Sequence, residues 1–75
     1  MILDVIVHKT DDGFTAEIPS LKGCESWAHN EEDVLDKIID LAAYYLKLDS
    51  RDKFKLDKAR VSINKTVYKL VFNKS

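Results

Sequence analysis

Four carboxylates, Asp4, Asp11, Asp12 and Glu17, fall within the first seventeen residues, where converging oxygens would hold a divalent cation and activate water for hydrolysis. Their spacing points elsewhere. Asp11 and Asp12 precede Gly13 at a turn signal, where acids are favoured for turn formation, and Glu17 alternates with apolar neighbours as a solvent-facing strand position does. Nucleophilic chemistry would need Cys24 beside an oriented base, and the imidazoles are His8 and His29. Cys24 and His29 are five residues apart, which is neither a nucleophile–base pattern nor a four-ligand zinc pattern. Cys24 reads as a small buried hydrophobe and His29 as a surface residue. With two glycines, ten positions apart, there is no phosphate-cradling loop. The local basic cluster, Lys53, Lys55, Lys58 and Arg60, is interleaved with Phe54, Leu56 and Asp57 and reads as a solvated connection. No enzyme, metal or cofactor is expected.

Bulk composition narrows the classes further. Seventy-five residues make one domain, 45% of them hydrophobic and 33% charged, which is globular in character but allows only a thin core. Cores of this size supply about 3–5 kcal/mol. Twelve Lys and Arg against thirteen Asp and Glu leave a charge of −1, so there is no overall attraction for a phosphate backbone, and direct nucleic-acid binding is not expected. A lone cysteine cannot form an internal disulfide, which fits a reducing cytoplasm. The N-terminal run Met1 to Val7 contains Asp4 and lacks the basic start of a secretory signal, and no apolar run is long enough to span a bilayer.

The elements follow from periodicity. Ile2 to Lys9 is rich in β-branched residues, and Phe14 to Ile18 alternates with period two, so the two form a hairpin with Phe14, Ala16 and Ile18 on one face. Pro19 ends the second strand because it has no N–H to give. Gly23 suits a backbone conformation that a Cβ would resist, and Cys24 to Ala28 returns as a third strand. Asn30 is a good N-cap, and Glu31, Glu32 and Asp33 fill the first helical turn, where the dipole favours negative charge.

From Glu31 to about Leu48, 100° steps put Leu35, Ile38, Ile39, Ala42 and Leu46 in one sector, facing the sheet, with Val34, Leu41, Tyr45 and Leu48 beside it. The apolar arc then widens to about 200°, against a typical 100° stripe. The surplus packs either on the C-terminal segment or on another chain. Trp27 likewise either packs under another element or anchors a protein partner, a role in which Trp is enriched. If a partner is involved, the contact residues are Trp27, Val34, Leu41, Tyr45 and Leu48. Asp49 to Lys58 is charged and loop-like. Ala59 to Asn73 is β-like again, either as a hairpin turning at Asn64-Lys65 or as one long bent strand. The predicted architecture is α+β: βββα followed by one or two strands, an antiparallel sheet with one helix packed on it.

Phe14-Thr15-Ala16-Glu17-Ile18-Pro19-Ser20-Leu21-Lys22-Gly23-Cys24, followed by Ser26-Trp27-Ala28 and Asn30 to Leu35, resembles the HicB-type antitoxin family. In that family a Tyr-x-Ala-x-Ile/Phe-Pro-x-Leu-x-Gly-Cys hairpin precedes a short strand and a capped helix. The resemblance covers Ile2 to Leu48 and is most specific at Ala16, Ile18, Pro19, Leu21, Gly23 and Cys24. Phe14 stands where Tyr is common, and Asn30 and Asp33 stand where the helix start usually has Thr and Glu. The resemblance implies a partial ribonuclease-H-like fold and a non-enzymatic role: binding and neutralising a small HicA-like mRNA interferase toxin. The segment after Leu48 does not read as a DNA-binding domain, so operator binding does not carry over. The alternative is a stand-alone homo-oligomeric regulatory or structural protein. Self-association as a homodimer or higher oligomer is expected in either case from the thin core, the wide apolar arc and an exposed sheet edge.

Overall fold

The computed structural model describes residues 2–47 and 54–72. Strands β1 (Ile2–Lys9), β2 (Phe14–Glu17) and β3 (Glu25–Ala28) precede helix α1 (Glu31–Tyr45), and β4 (Lys55–Val61) and β5 (Lys65–Val71) follow it. All five strands join one antiparallel sheet in the order β3-β2-β1-β5-β4, with α1 packed on one face over β2 and β3. The fold is α+β.

Alternation along the strands explains the core. Leu3, Val5 and Val7 of β1, Ala16 of β2, Ala28 of β3 and Tyr68 and Leu70 of β5 point to the helix side and are buried. Phe72, the largest fully buried side chain, follows β5 and meets Phe54 edge to face at 5.3 Å between centroids.

The β2–β3 connection gives the Ile18 to Cys24 motif a physical meaning. It consists of two successive β-turns: the Leu21 N–H donates to the Ile18 carbonyl (2.9 Å) and the Cys24 N–H to the Leu21 carbonyl (2.9 Å). Pro19 takes the second position of the first turn, where its fixed φ is favoured. Gly23 takes the third position of the second at φ +82°, a left-handed conformation that a turn of type II requires. A further bond from the Ile18 N–H to the Cys24 carbonyl (3.0 Å) closes the loop. Ile18 and Cys24 are buried beneath it, Leu21 is half-buried, and the fully buried thiol of Cys24 has its pKa raised by desolvation.

Asn30 caps α1 as expected. Its Oδ1 accepts from the Asp33 N–H (2.8 Å) while its Nδ2 donates to Asp33 Oδ2 (3.1 Å). The helix stops earlier than the apolar periodicity suggests. Lys47 takes a left-handed φ of 57° and its N–H reaches back to the Tyr44 carbonyl (3.2 Å), which ends the regular turns.

One expectation from the sequence changes, and one open alternative is decided. Lys55 to Lys58 belongs to β4 rather than to a charged loop, because β5 offers it a complete antiparallel partner despite its polar side chains. The C-terminal segment is a hairpin, closed by the Ser62 N–H donating to the Lys65 carbonyl (2.7 Å) and tipped by the exposed Ile63.

Across the core, the Tyr68 hydroxyl donates to Glu31 Oε2 at 2.5 Å and so ties the start of α1 to β5. Burial, followed by the adjacent Glu31 carboxylate, pushes the Tyr68 phenol well above its ordinary value of about 10. Because the folded-state pKa is the higher one, the unfolded chain loses this proton first as pH rises. The stabilisation is therefore complete below about pH 10 and is lost above it. Tyr68→Phe is expected to cost about 1.5 kcal/mol at neutral pH, as the loss of a hydrogen bond to a carboxylate does, and to flatten the fall in stability above about pH 10. Urea titrations at several pH values check both; a variant with wild-type alkaline sensitivity would separate that sensitivity from Tyr68.

Candidate protein-interaction surface

The exposed side of α1 is acidic. Glu32, Asp33, Asp36 and Asp40 lie on it, with Tyr44 one turn beyond Asp40 and 80% exposed. Lys37, on the same side, reaches away to donate its ammonium to the Trp27 carbonyl (3.1 Å). Tyr44 and Tyr45 meet at 6.3 Å in an edge geometry. An acidic ridge ending in an exposed aromatic is therefore built from one helix, and the Asn30 cap and the dipole-favoured first-turn acids fix where it begins.

The residues predicted to contact a partner do not form one patch. Val34 is a correction: it is fully buried, and its carbonyl accepts the Ser26 hydroxyl (3.3 Å). The helix leans over β2 and β3, so Val34, Ile38, Ile39 and Ala42 make the buried stripe, while Leu35 and Leu46, expected at its centre, are half-buried at its margin. Leu41 is half-buried against the core, and Tyr45 is 40% exposed near the end of the helix. Leu48, like Lys53 of the basic cluster, lies outside the described residues. Trp27 is 41% exposed and sits on β3, on the helix-free face of the sheet, with its ring edge-on to His29 at 4.7 Å.

The carboxylates weighed for catalysis are likewise dispersed. Asp4 pairs with Lys69, and Asp11 and Asp12 are exposed at the β1–β2 turn. Glu17 lies 3.7 Å from His8 Nε2 and directly across from Glu25 in the β2–β3 register. Among the described residues no group of three or more His, Cys, Asp or Glu is arranged to hold a metal ion, and no helix is long and apolar enough to cross a membrane. No protein-family model, curated protein or solved structure matches the chain. The site therefore rests on its own geometry.

One residue that the sequence did not single out organises this region. The Thr10 hydroxyl donates to the Gly13 carbonyl (3.0 Å) and accepts from the Gly13 N–H (3.1 Å), clamping the turn that sets β2 beside β1. Its signal was a Thr three residues before a Gly, a side-chain turn pattern that the adjacent Asp-Asp-Gly overshadows.

Proposed function

We propose that the chain is a non-catalytic, cytoplasmic protein-interaction module of the HicB antitoxin type, with a partial ribonuclease-H-like fold, that neutralises a small basic mRNA interferase by covering its RNA-binding face. The observation that carries this reading is the acidic ridge of α1, Asp33, Asp36 and Asp40 running into exposed Tyr44. A protein that binds RNA offers a basic surface, and a ridge of acids matches it in charge, speeding encounter and fixing orientation. Exposed tyrosine supplies the kind of anchor on which interface energy concentrates. The two β-turns built on Pro19 and Gly23 support the same family reading, since they give the quoted motif a structural purpose without any chemistry of its own.

The test is to mix the chain with a basic ribonuclease encoded by a neighbouring gene and follow RNA cleavage. Cleavage is expected to stop near equimolar chain, and Asp36→Lys combined with Asp40→Lys is expected to weaken inhibition at least tenfold, with a smaller effect at high salt. Undiminished cleavage at saturating chain would overturn the proposal in favour of a stand-alone homo-oligomer.

A further inference from the structure

We infer that the helix-free face of the sheet is the contact between two copies of this chain, related by a two-fold axis lying along β1. The register places charge on that face in a specific order. In one row across the sheet, Glu25 stands opposite Glu17, Glu17 opposite Ile6, Ile6 opposite Val67 and Val67 opposite Arg60. Alternation puts all five side chains on the side away from α1. The row thus reads acid, acid, apolar, apolar, base from one edge of the sheet to the other. Two shallow grooves flank β1 accordingly. One of about 480 Å³ is lined by Glu17, Glu25, His8 and Trp27, and one of about 300 Å³ by Arg60, Lys65 and Lys69, with Asp4 as its one acid.

A two-fold axis in the plane of the interface and parallel to β1 lays the acidic groove of each copy on the basic groove of the other. Ile6 then meets Ile6, Val67 faces Glu17, and Arg60 enters between Glu17 and Glu25. An axis perpendicular to the strands would put acid on acid. Charge therefore selects one orientation, which is also the aligned arrangement in which sheets commonly pack. The Glu17–Glu25 pair supplies a reason for binding: like charges directly across two strands repel, and a guanidinium seated between them relieves that with charge-assisted hydrogen bonds. His8 offsets Glu17 only when protonated. In the next row, Lys65 of one copy lies over Thr15 and Trp27 of the other, within the range of a cation–π contact. In the row on the other side, Lys69 stands between Asp4 and Asp57 and pairs with Asp4, so that row keeps one net negative charge per copy and does not drive the contact.

The sheet edges are poor alternatives. The β3 edge is four residues long with its Trp27 carbonyl already taken by Lys37, and the β4 edge carries Lys55, Lys58 and Arg60 together with a bulge between Lys58 and Arg60. Short length, lysines and bulges are the features that keep edges from pairing. At ordinary strand spacing and rise, the face offers about 500 Å² per copy, or about 1,000 Å² in all, which is the lower limit for a specific interface and fits a dimer of micromolar affinity. The acidic ridge of α1 lies on the opposite face and is not covered by this contact, so the dimer is independent of the toxin-binding proposal and is tested without a toxin.

Sedimentation equilibrium on the full chain provides the test. Wild type is expected to dimerise in the micromolar range, Glu25→Lys and Arg60→Glu alone each to raise the dissociation constant at least tenfold, and an equimolar mixture of the two variants to regain the dimer. In the mixed dimer the ammonium introduced by Glu25→Lys faces the carboxylate introduced by Arg60→Glu, and the unaltered Arg60 of the first chain faces the unaltered Glu25 of the second. Each variant paired with itself has like charges at both places instead. Ile6→Lys, at the axis, is expected to abolish dimers by itself, and circular dichroism checks that each variant is folded. A wild type monomeric at hundreds of micromolar, charge variants that dimerise normally, or a mixture that stays monomeric would each overturn the inference.

Discussion

Phe72→Ala is expected to leave most of the chain unfolded at 25 °C. The side chain is 1% exposed and closes the helix side of the sheet just after β5, where it packs against Phe54 and the rest of the core cluster. Removing a buried phenyl ring costs about 3–5 kcal/mol, because the lost transfer energy is compounded by a cavity that the surroundings fill only in part. That is as large as the whole stability of about 3–5 kcal/mol expected for a core of this size. Phe72→Leu, which keeps most of the volume, should cost about 1.5 kcal/mol at most and remain folded. Far-UV circular dichroism and urea titration of both variants provide the check. A Phe72→Ala chain with a cooperative transition within about 1 kcal/mol of wild type would show that the C-terminal ring is not part of the working core. Since dimerisation adds stability by mass action, the comparison belongs at one fixed, low protein concentration.

Gly13→Ala should destabilise by about 2–3 kcal/mol, although it adds a single methyl. A Cβ built at Gly13 would lie 2.3 Å from the Ala28 carbonyl oxygen, and 3.1 Å from both the His29 Cα and the Trp27 ring. The nearest of these is backbone and cannot swing aside, so the turn and the end of β3 must separate. Overpacking of this kind typically costs about 1–3 kcal/mol, and the upper part of that range applies because the clash disturbs the Thr10 clamp and the β2–β3 pairing together. The denaturation midpoint of the variant reads the effect, and a loss below about 0.5 kcal/mol would mean that β3 ends more loosely than its register indicates. Gly23→Ala is strained for a different reason, its φ of +82°, and tests the second β-turn separately.

These two glycines show how the sequence was legible and where it was not. At Gly23, spacing after Pro19 and a return to β-like residues pointed to a special backbone conformation, and the positive φ matches it. At Gly13 the adjacent acids suggested a turn, and there is one. The stronger constraint, the approach of the Ala28 carbonyl from a strand fifteen residues away, leaves no local trace. β4 was hidden in the same way. Lys55, Asp57 and Lys58 have no strand pattern of their own, and they adopt one because β5 provides a ladder of hydrogen-bond partners.

The sequence by itself determined the local grammar of this protein: the β1–β2 hairpin, the end of β2 at Pro19, the special backbone at Gly23, the Asn30 cap and the acidic first turn of α1. Each of these depends on interactions within a few residues, and such interactions are written in residue type and spacing. Only the tertiary structure decided which side of the helix is covered: α1 packs over β2 and β3 with Val34 in the core and Leu35 at its margin. It also decided the strand order β3-β2-β1-β5-β4, which inserts β5 beside β1 and so carries Arg60 and Lys65 to the same face as Glu17 and Glu25 but across β1 from them. A side chain's partners across a sheet depend on pairing between distant segments. A charge pattern spread over four such strands therefore forms one surface only once the chain has folded.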